Sequence, residues 1–205
     1  MLTSLVTAVV LGYLVGSIPS GVLIGRLYGV DPRQVGSGRT GGTNVYRAAG
    51  PKAGLLTASA DAVKGLVVVV VARALYPHVP FAVALAGLAA VVGHNWSLFL
   101  KFRGGAGTMT NLGVLLGLSP TALVAAALFG FVALYTSRMA SVGSLTAAWA
   151  AFAAFVVLGF LGRAPMPFAL YGVGQALIIT WALRPNIRRI LAGTERRIGR
   201  RERPH

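Results

Sequence analysis

The feature that most constrains this chain is a succession of long apolar runs broken by short basic segments. Seven runs stand out, roughly residues 2–25, 53–75, 80–100, 105–118, 121–136, 141–161 and 166–183. A run of about twenty apolar residues is long enough to cross the hydrocarbon core of a bilayer as a helix. An isolated strand cannot satisfy its backbone there. The runs are continuous rather than alternating, which argues against a transmembrane barrel. The expected fold is all-α: a polytopic integral membrane protein with seven transmembrane helices, forming a single membrane domain over residues 1–205. The fourth run, 105–118, is short and ends at Ser119-Pro120. A tilted or re-entrant helix fits it as well as a full crossing.

Composition supports this class. The chain is 56% hydrophobic and 11% charged, too apolar for an ordinary soluble surface. The net charge of +15 does not point to nucleic acid, because the basic residues sit between apolar runs and at the C-terminus. With the 26–52 segment placed inside, the inside segments hold 16 of the 19 basic residues. These are Arg26, Arg33, Arg39, Arg47, Lys52, Lys101, Arg103, Arg138 and eight arginines from Arg184 to Arg203. The outside loops hold Arg73 and Arg163, and Lys64 falls within a run. The positive-inside rule then predicts an outside N-terminus and a cytoplasmic C-terminus. The basic tail is expected to continue the last helix and then lie along the anionic inner leaflet. The first run lacks a basic segment before it, so it reads as a spanning helix rather than a cleaved leader. No cysteine is present, and three histidines and four acidic residues are scattered. No metal and no other cofactor is expected. Gly12/Gly16 and Gly21/Gly25 have the small-xxx-small spacing of closely packed helices.

Two glycine-rich segments fall on the same predicted face. Residues 36–47 read Gly-Ser-Gly-Arg-Thr-Gly-Gly-Thr-Asn-Val-Tyr-Arg, and residues 101–110 read Lys-Phe-Arg-Gly-Gly-Ala-Gly-Thr-Met-Thr. Glycines let backbone amides converge on an anion, and arginine adds a fork of donors suited to phosphate. One reading is a shared phosphate site that includes Arg39, Arg47, Arg103 and the glycines. The other is a pair of flexible connectors carrying positive-inside charge. Ser20, Ser37, Thr40, Thr43 and Asn44 supply neutral hydrogen-bonding groups. Thr108 and Thr110 lie where the fourth helix begins, and a helix N-terminus favours phosphate.

Ionisable residues inside the runs are few. Asp61 and Lys64 are three apart on one helix, either an ion pair that fixes packing or a pair that orients a loop or polar substrate. His94 precedes the second glycine-rich segment, as a structural group or a base. Trp96 and Trp181 suit interfacial anchors. Glu195 is expected to pair with Arg188 or Arg196. There is no cysteine nucleophile, no Gly-x-Ser-x-Gly elbow, no Walker loop and no His-x-x-x-x-Asp pattern. Chemistry here would work by positioning and electrostatic stabilisation of bound substrates.

Three motifs together resemble the bacterial acyl-phosphate:glycerol-3-phosphate acyltransferases, the PlsY family. The first is Gly16-Ser-Ile-Pro-Ser20, followed by Asp31-Pro-Arg33, the 36–47 segment and Asp61-Ala-Val-Lys-Gly65. The second is the 93–107 stretch, Gly-His-Asn-Trp-Ser-Leu-Phe-Leu-Lys-Phe-Arg-Gly-Gly-Ala-Gly. The third is the 184–195 stretch, Arg-Pro-Asn-Ile-Arg-Arg-Ile-Leu-Ala-Gly-Thr-Glu. The resemblance covers almost the whole chain. It implies transfer of a fatty acyl group from acyl phosphate to the 1-hydroxyl of glycerol 3-phosphate, at the cytoplasmic face of the bacterial plasma membrane. It implies substrate-binding positions at Ser37, Thr43, Asn44, Arg47, Lys64, His94, Gly104, Gly105, Gly107, Asn186 and Glu195, of which His94, Ser37, Asn186 and Glu195 are taken as catalytic. Four positions depart from the family pattern. Ala106 stands for the lysine of Gly-Gly-Lys-Gly and Arg39 for an asparagine, while Leu183 and Pro185 stand for a histidine and a glutamate. Arg39 is therefore expected to supply the charge missing at Ala106. The alternatives are a paralogue on the same scaffold with lost or altered activity, and a small transporter suggested by Asp61 and Lys64.

Overall fold

The structure, a computed structural model, describes residues 1–198. Arg200, Arg201 and Arg203, and with them the expected course of the basic tail on the leaflet, lie outside the described residues. The described residues are helical throughout their regular structure. The order is α1 Leu2–Gly16, α2 Ser20–Leu27, α3 Gly42–Leu75, α4 Pro80–Asn95, α5 Thr108–Leu118, α6 Pro120–Ser137, α7 Ala140–Phe160, α8 Pro167–Ala182 and α9 Arg184–Leu191, with a 3-10 turn at Leu98–Leu100.

Five helical segments are long and apolar enough to cross a membrane: Leu2–Leu27, Gly42–Leu75, Pro80–Leu100, Pro120–Ser137 and Ala140–Phe160. The runs at 105–118 and 166–183 form the shorter apolar helices α5 and α8. With 11 residues, α5 rises about 16 Å, roughly half of a hydrocarbon core.

Several boundaries differ from the sequence reading for identifiable reasons. The 2–25 run breaks into α1 and α2 at residues 17–19, where Pro19 has no N–H to continue the ladder. The first glycine-rich segment is a loop only to Gly41; from Gly42 it forms the first turns of α3. That helix kinks where Gly50 adopts φ +87° ahead of Pro51, whose ring crowds the carbonyl four residues earlier. The last helix does not continue into the tail. It stops at Ala182, and Leu183 joins it to the separate helix α9.

Small residues set how closely the helices approach. A Cβ on Gly12 or Gly16 would strike the backbone carbonyl of Ala86 or Ala90, so α1 and α4 pack backbone to backbone. Gly21 and Gly25 instead abut loop backbone, at Thr40 and Val30, and Gly21 also meets the Thr57 side chain of α3. The core gathers Val69, Val114, Leu115, Phe155, Phe168 and Tyr171. Val10, Val70, Leu128, Phe129 and Leu177 point outward and exposed, an apolar surface suited to lipid.

Candidate active site

One cavity of about 480 Å³ opens at the end of the bundle where α3, α5, α7 and α9 begin. Its rim takes Gly42 and Thr43 from α3, Thr108 and Met109 from α5, Ala140 and Ser141 from α7, and Asn186 from α9. The first amides of a helix lack partners within it, and its dipole is positive at that end. Four N-termini around one cavity therefore favour an anion, and Arg39, Arg47, Arg189 and Arg196 line the same space. Deeper in, the walls turn apolar with Leu112, Ala126, Gly130, Phe131, Leu134 and Ala147. The cavity suits a molecule with a phosphate head and a hydrocarbon tail.

The first glycine-rich segment is held by Asn44. Its Nδ2 donates to Pro32 O and Arg39 O, each at 2.8 Å, and to Val35 O at 3.1 Å. Its Oδ1 accepts from Ser37 N at 3.0 Å. Asn44 borders the cavity, but its amide is engaged in folding the loop. Nearby, Arg33 forks onto Asp31 and its hydrogen bonds hold that carboxyl down to about 2. Ser37, Thr43 and Arg47 are exposed on the cavity wall. Half-buried Arg39 reaches across the cavity mouth, donating Nη1 to Asn186 Oδ1 at 2.9 Å and Nη2 to Ala182 O.

The C-terminal segment closes on Glu195. Its Oε1 accepts from Asn186 Nδ2 at 2.7 Å and from Ser141 Oγ at 2.8 Å, while Arg189 Nε lies 2.8 Å from Oε2. Burial pushes this carboxyl up, and the bonds from Asn186, Ser141 and Arg189 outweigh it, leaving the pKa below the ordinary glutamate value. The ion pair is with Arg189, where Arg188 or Arg196 was expected. One turn after Asn186, Arg189 shares its face of α9 and turns to the cavity, whereas Arg188 is exposed.

Beneath the cavity floor Lys64, Asp61 and His94 form a buried cluster. Lys64 Nζ lies 2.8 Å from Asp61 Oδ1, 3.0 Å from His94 Nδ1 and 3.0 Å from Ile18 O, the carbonyl exposed by the break between α1 and α2. His94 and Asp61 line the cavity; Lys64 does not. The second glycine-rich segment folds over His94. Gly105 N donates to His94 O at 3.1 Å and Gly104 N to Asn95 O at 3.0 Å. These amides, expected to bind phosphate, instead close the C-terminal end of α4. Gly107 and Ala106 do line the cavity, whereas Arg103 is exposed and away from it.

Of the residues singled out in the sequence, the cavity thus brings together Ser37, Arg39, Thr43, Asn44, Arg47, His94, Gly107, Thr108, Asn186 and Glu195. Lys64, Arg103, Gly104 and Gly105 stand apart from its wall. Ser141 and Arg189 are contributors the sequence did not single out. Ser141 lies in an alanine-rich run and carries no local signal.

A sequence model described as glycerol-3-phosphate acyltransferase matches residues 6–193. The chain belongs to the glycerol-3-phosphate acyltransferase family. It is 45% identical over 195 residues to glycerol-3-phosphate acyltransferase 2 of Moorella thermoacetica, covering 95% of this chain and 97% of that one. It is 42% identical over 196 residues to glycerol-3-phosphate acyltransferase of Rubrobacter xylanophilus, covering 96% of each. Among solved structures it is similar to PlsY (YgiH), an integral membrane glycerol 3-phosphate acyltransferase. The glycerol 3-phosphate form superposes with a TM-score of 0.87 at 36% identity, covering 96% of both chains. The lysophosphatidic acid form gives 0.85 at 35% identity, with the same coverage. The family to which the chain belongs thus includes a protein crystallised with a phosphorylated glycerol and with an acylated one.

Proposed function

We propose that this protein transfers a fatty acyl group from an acyl phosphate to the 1-hydroxyl of glycerol 3-phosphate, giving lysophosphatidate and phosphate for phospholipid synthesis. The observation that carries this reading is the cavity itself. It has a cationic end built from four helix N-termini and arginines, and it continues into an apolar cleft between α5, α6 and α7. The hydroxyl oxygen attacks the acyl carbonyl carbon. The new ester C–O bond forms as the bond from that carbon to the phosphate oxygen breaks, and a phosphate oxygen takes the hydroxyl proton. No protein nucleophile is required, which agrees with the absence of a candidate in the sequence.

In this reading Ser37, Arg39, Thr43, Arg47, Gly107 and Thr108 hold the phosphates, and His94 faces the reacting groups. Asn186 and Glu195 fix the closing segment, and Asn44 shapes the loop. The transporter alternative loses its support, since Asp61 and Lys64 are bound to each other and to His94. Ala106 leaves the α5 N-terminus without a lysine, and the arginines on the opposite wall offset that charge. The basic segments support seven crossings, with α5 and α8 included, an outside N-terminus and the cavity facing the cytoplasm of a bacterial plasma membrane.

The test is an acyl-transfer assay on purified protein in lipid with palmitoyl phosphate and labelled glycerol 3-phosphate, with His94→Ala alongside. Lysophosphatidate made by the parent and not by the variant is the expected result. Folded parent that makes none would overturn the proposal.

A further inference from the structure

We infer that Lys64 is a positioning residue that holds the proton of His94 on Nε2, rather than a ligand of substrate phosphate. This inference rests on the acyltransfer reading for its consequence, but its geometry stands apart from it. An ammonium has three N–H groups. The ammonium of Lys64 hydrogen-bonds Ile18 O and His94 Nδ1, each at 3.0 Å, and pairs as an ion with Asp61, whose Oδ1 lies 2.8 Å away. These three groups enclose the ammonium, its side chain is only 6% exposed, and it does not reach the cavity wall where a phosphate would sit.

The same geometry assigns the imidazole. A nitrogen that accepts from an ammonium carries no proton, so the ring proton sits on Nε2. Nε2 lies on the Gly105 side of the ring, where a Cβ at position 105 would collide with it. Among the described residues the only hydrogen bond of the His94 ring is at Nδ1, and the ring lines the cavity. His94 therefore presents an N–H donor to an oxygen of the bound substrates. Asp61 holds the alternative in reserve. Its Oδ1 stands 3.4 Å from His94 Nδ1, close enough to draw the proton to Nδ1 once Lys64 is removed. Nε2 would then become an acceptor, the wrong polarity for an oxygen gaining negative charge.

The experiment combines nitrogen-15 NMR of histidine-labelled protein with kinetics. The His94 resonances are assigned by their loss in His94→Ala, since the chain has three histidines. The parent is expected to show protonated Nε2 and bare Nδ1. Lys64→Met is expected to move the proton to Nδ1 and lower kcat by about tenfold to a hundredfold, with KM for both substrates within about twofold. Lys64→Gln, whose amide still donates to Nδ1, is expected to restore the parent tautomer and most of kcat. A parent with its proton on Nδ1 overturns the inference, and that measurement needs no variant to fold. So does Lys64→Met that keeps the parent tautomer, or that raises KM for the phosphate substrates while kcat holds. An inactive parent would sink the acyltransfer reading, yet the tautomer measurement would still decide the role of Lys64.

Discussion

Arg39 Nη1 donates to Asn186 Oδ1 at 2.9 Å, joining the first glycine-rich segment to the last helix across 147 positions of sequence. The same guanidinium donates to Ala182 O at the end of α8. Arg39 thereby ties the closing segment over the cavity that it lines.

If Arg39 supplies the cation that Ala106 lacks, Arg39→Asn will raise KM for acyl phosphate by about tenfold to a hundredfold, the range for a charged hydrogen bond. Arg26→Asn, outside the cavity lining, serves as the comparison and is expected to leave KM unchanged. Adding Ala106→Lys to Arg39→Asn is expected to recover most of the loss. Equal, small effects of Arg39→Asn and Arg26→Asn in steady-state kinetics would sink the idea.

Glu195 sets an acid limit on the closed segment. Its pKa in the folded protein lies below the ordinary value of 4.5, so its contribution to stability is fully present above that value. The contribution is lost as pH falls through the lower, folded value. Thermal unfolding followed from neutral pH downward should show the parent losing stability below 4.5. Glu195→Gln should be less stable at neutral pH and lose less on acidification. Parallel curves would mean that the carboxylate is not what the segment closes upon.

Gly105 packs directly against the His94 ring. A Cβ there would occupy the place of His94 Nε2, so Gly105→Ala must displace the ring or the loop. A displacement near 1 Å costs on the order of a hundredfold in rate. Single-turnover measurement should show that loss in the chemical step, with substrate binding largely kept. A normal rate would show that the loop yields instead.

Gly16 carries the α1–α4 contact. Gly16→Leu would drive a side chain into Ala90 backbone and is expected to cost about 1–3 kcal/mol or more. Thermal unfolding in detergent checks this. Val10→Leu, on the exposed face of the same helix, should be near neutral.

Much of this molecule was legible in one dimension. Apolar runs located all of the long helices, because desolvating a backbone demands a continuous stretch of apolar residues. The glycine-rich segments and the basic asymmetry marked the end of the bundle where the cavity opens. Ser37, Thr43, Arg47 and Asn186 were found there because the motifs that carry them are local. The proline break at residues 17–19 and the kink at Gly50-Pro51 were also written in the residues, yet their consequences were not.

Those consequences depend on what each segment meets. Sequence alone determined an all-helical membrane chain with its polar, cationic segments gathered between helices, because hydropathy and helix ends are set by neighbouring residues. Only the tertiary structure decided that Lys64 sits behind His94 and not on the cavity wall, since the acceptor completing its shell is Ile18 O, 46 residues away. The same holds for the amides of Gly104 and Gly105, which are taken by α4. Glu195 likewise rests on Ser141, 54 residues away. A buried polar group must find partners wherever packing provides them, and that choice belongs to the assembled bundle.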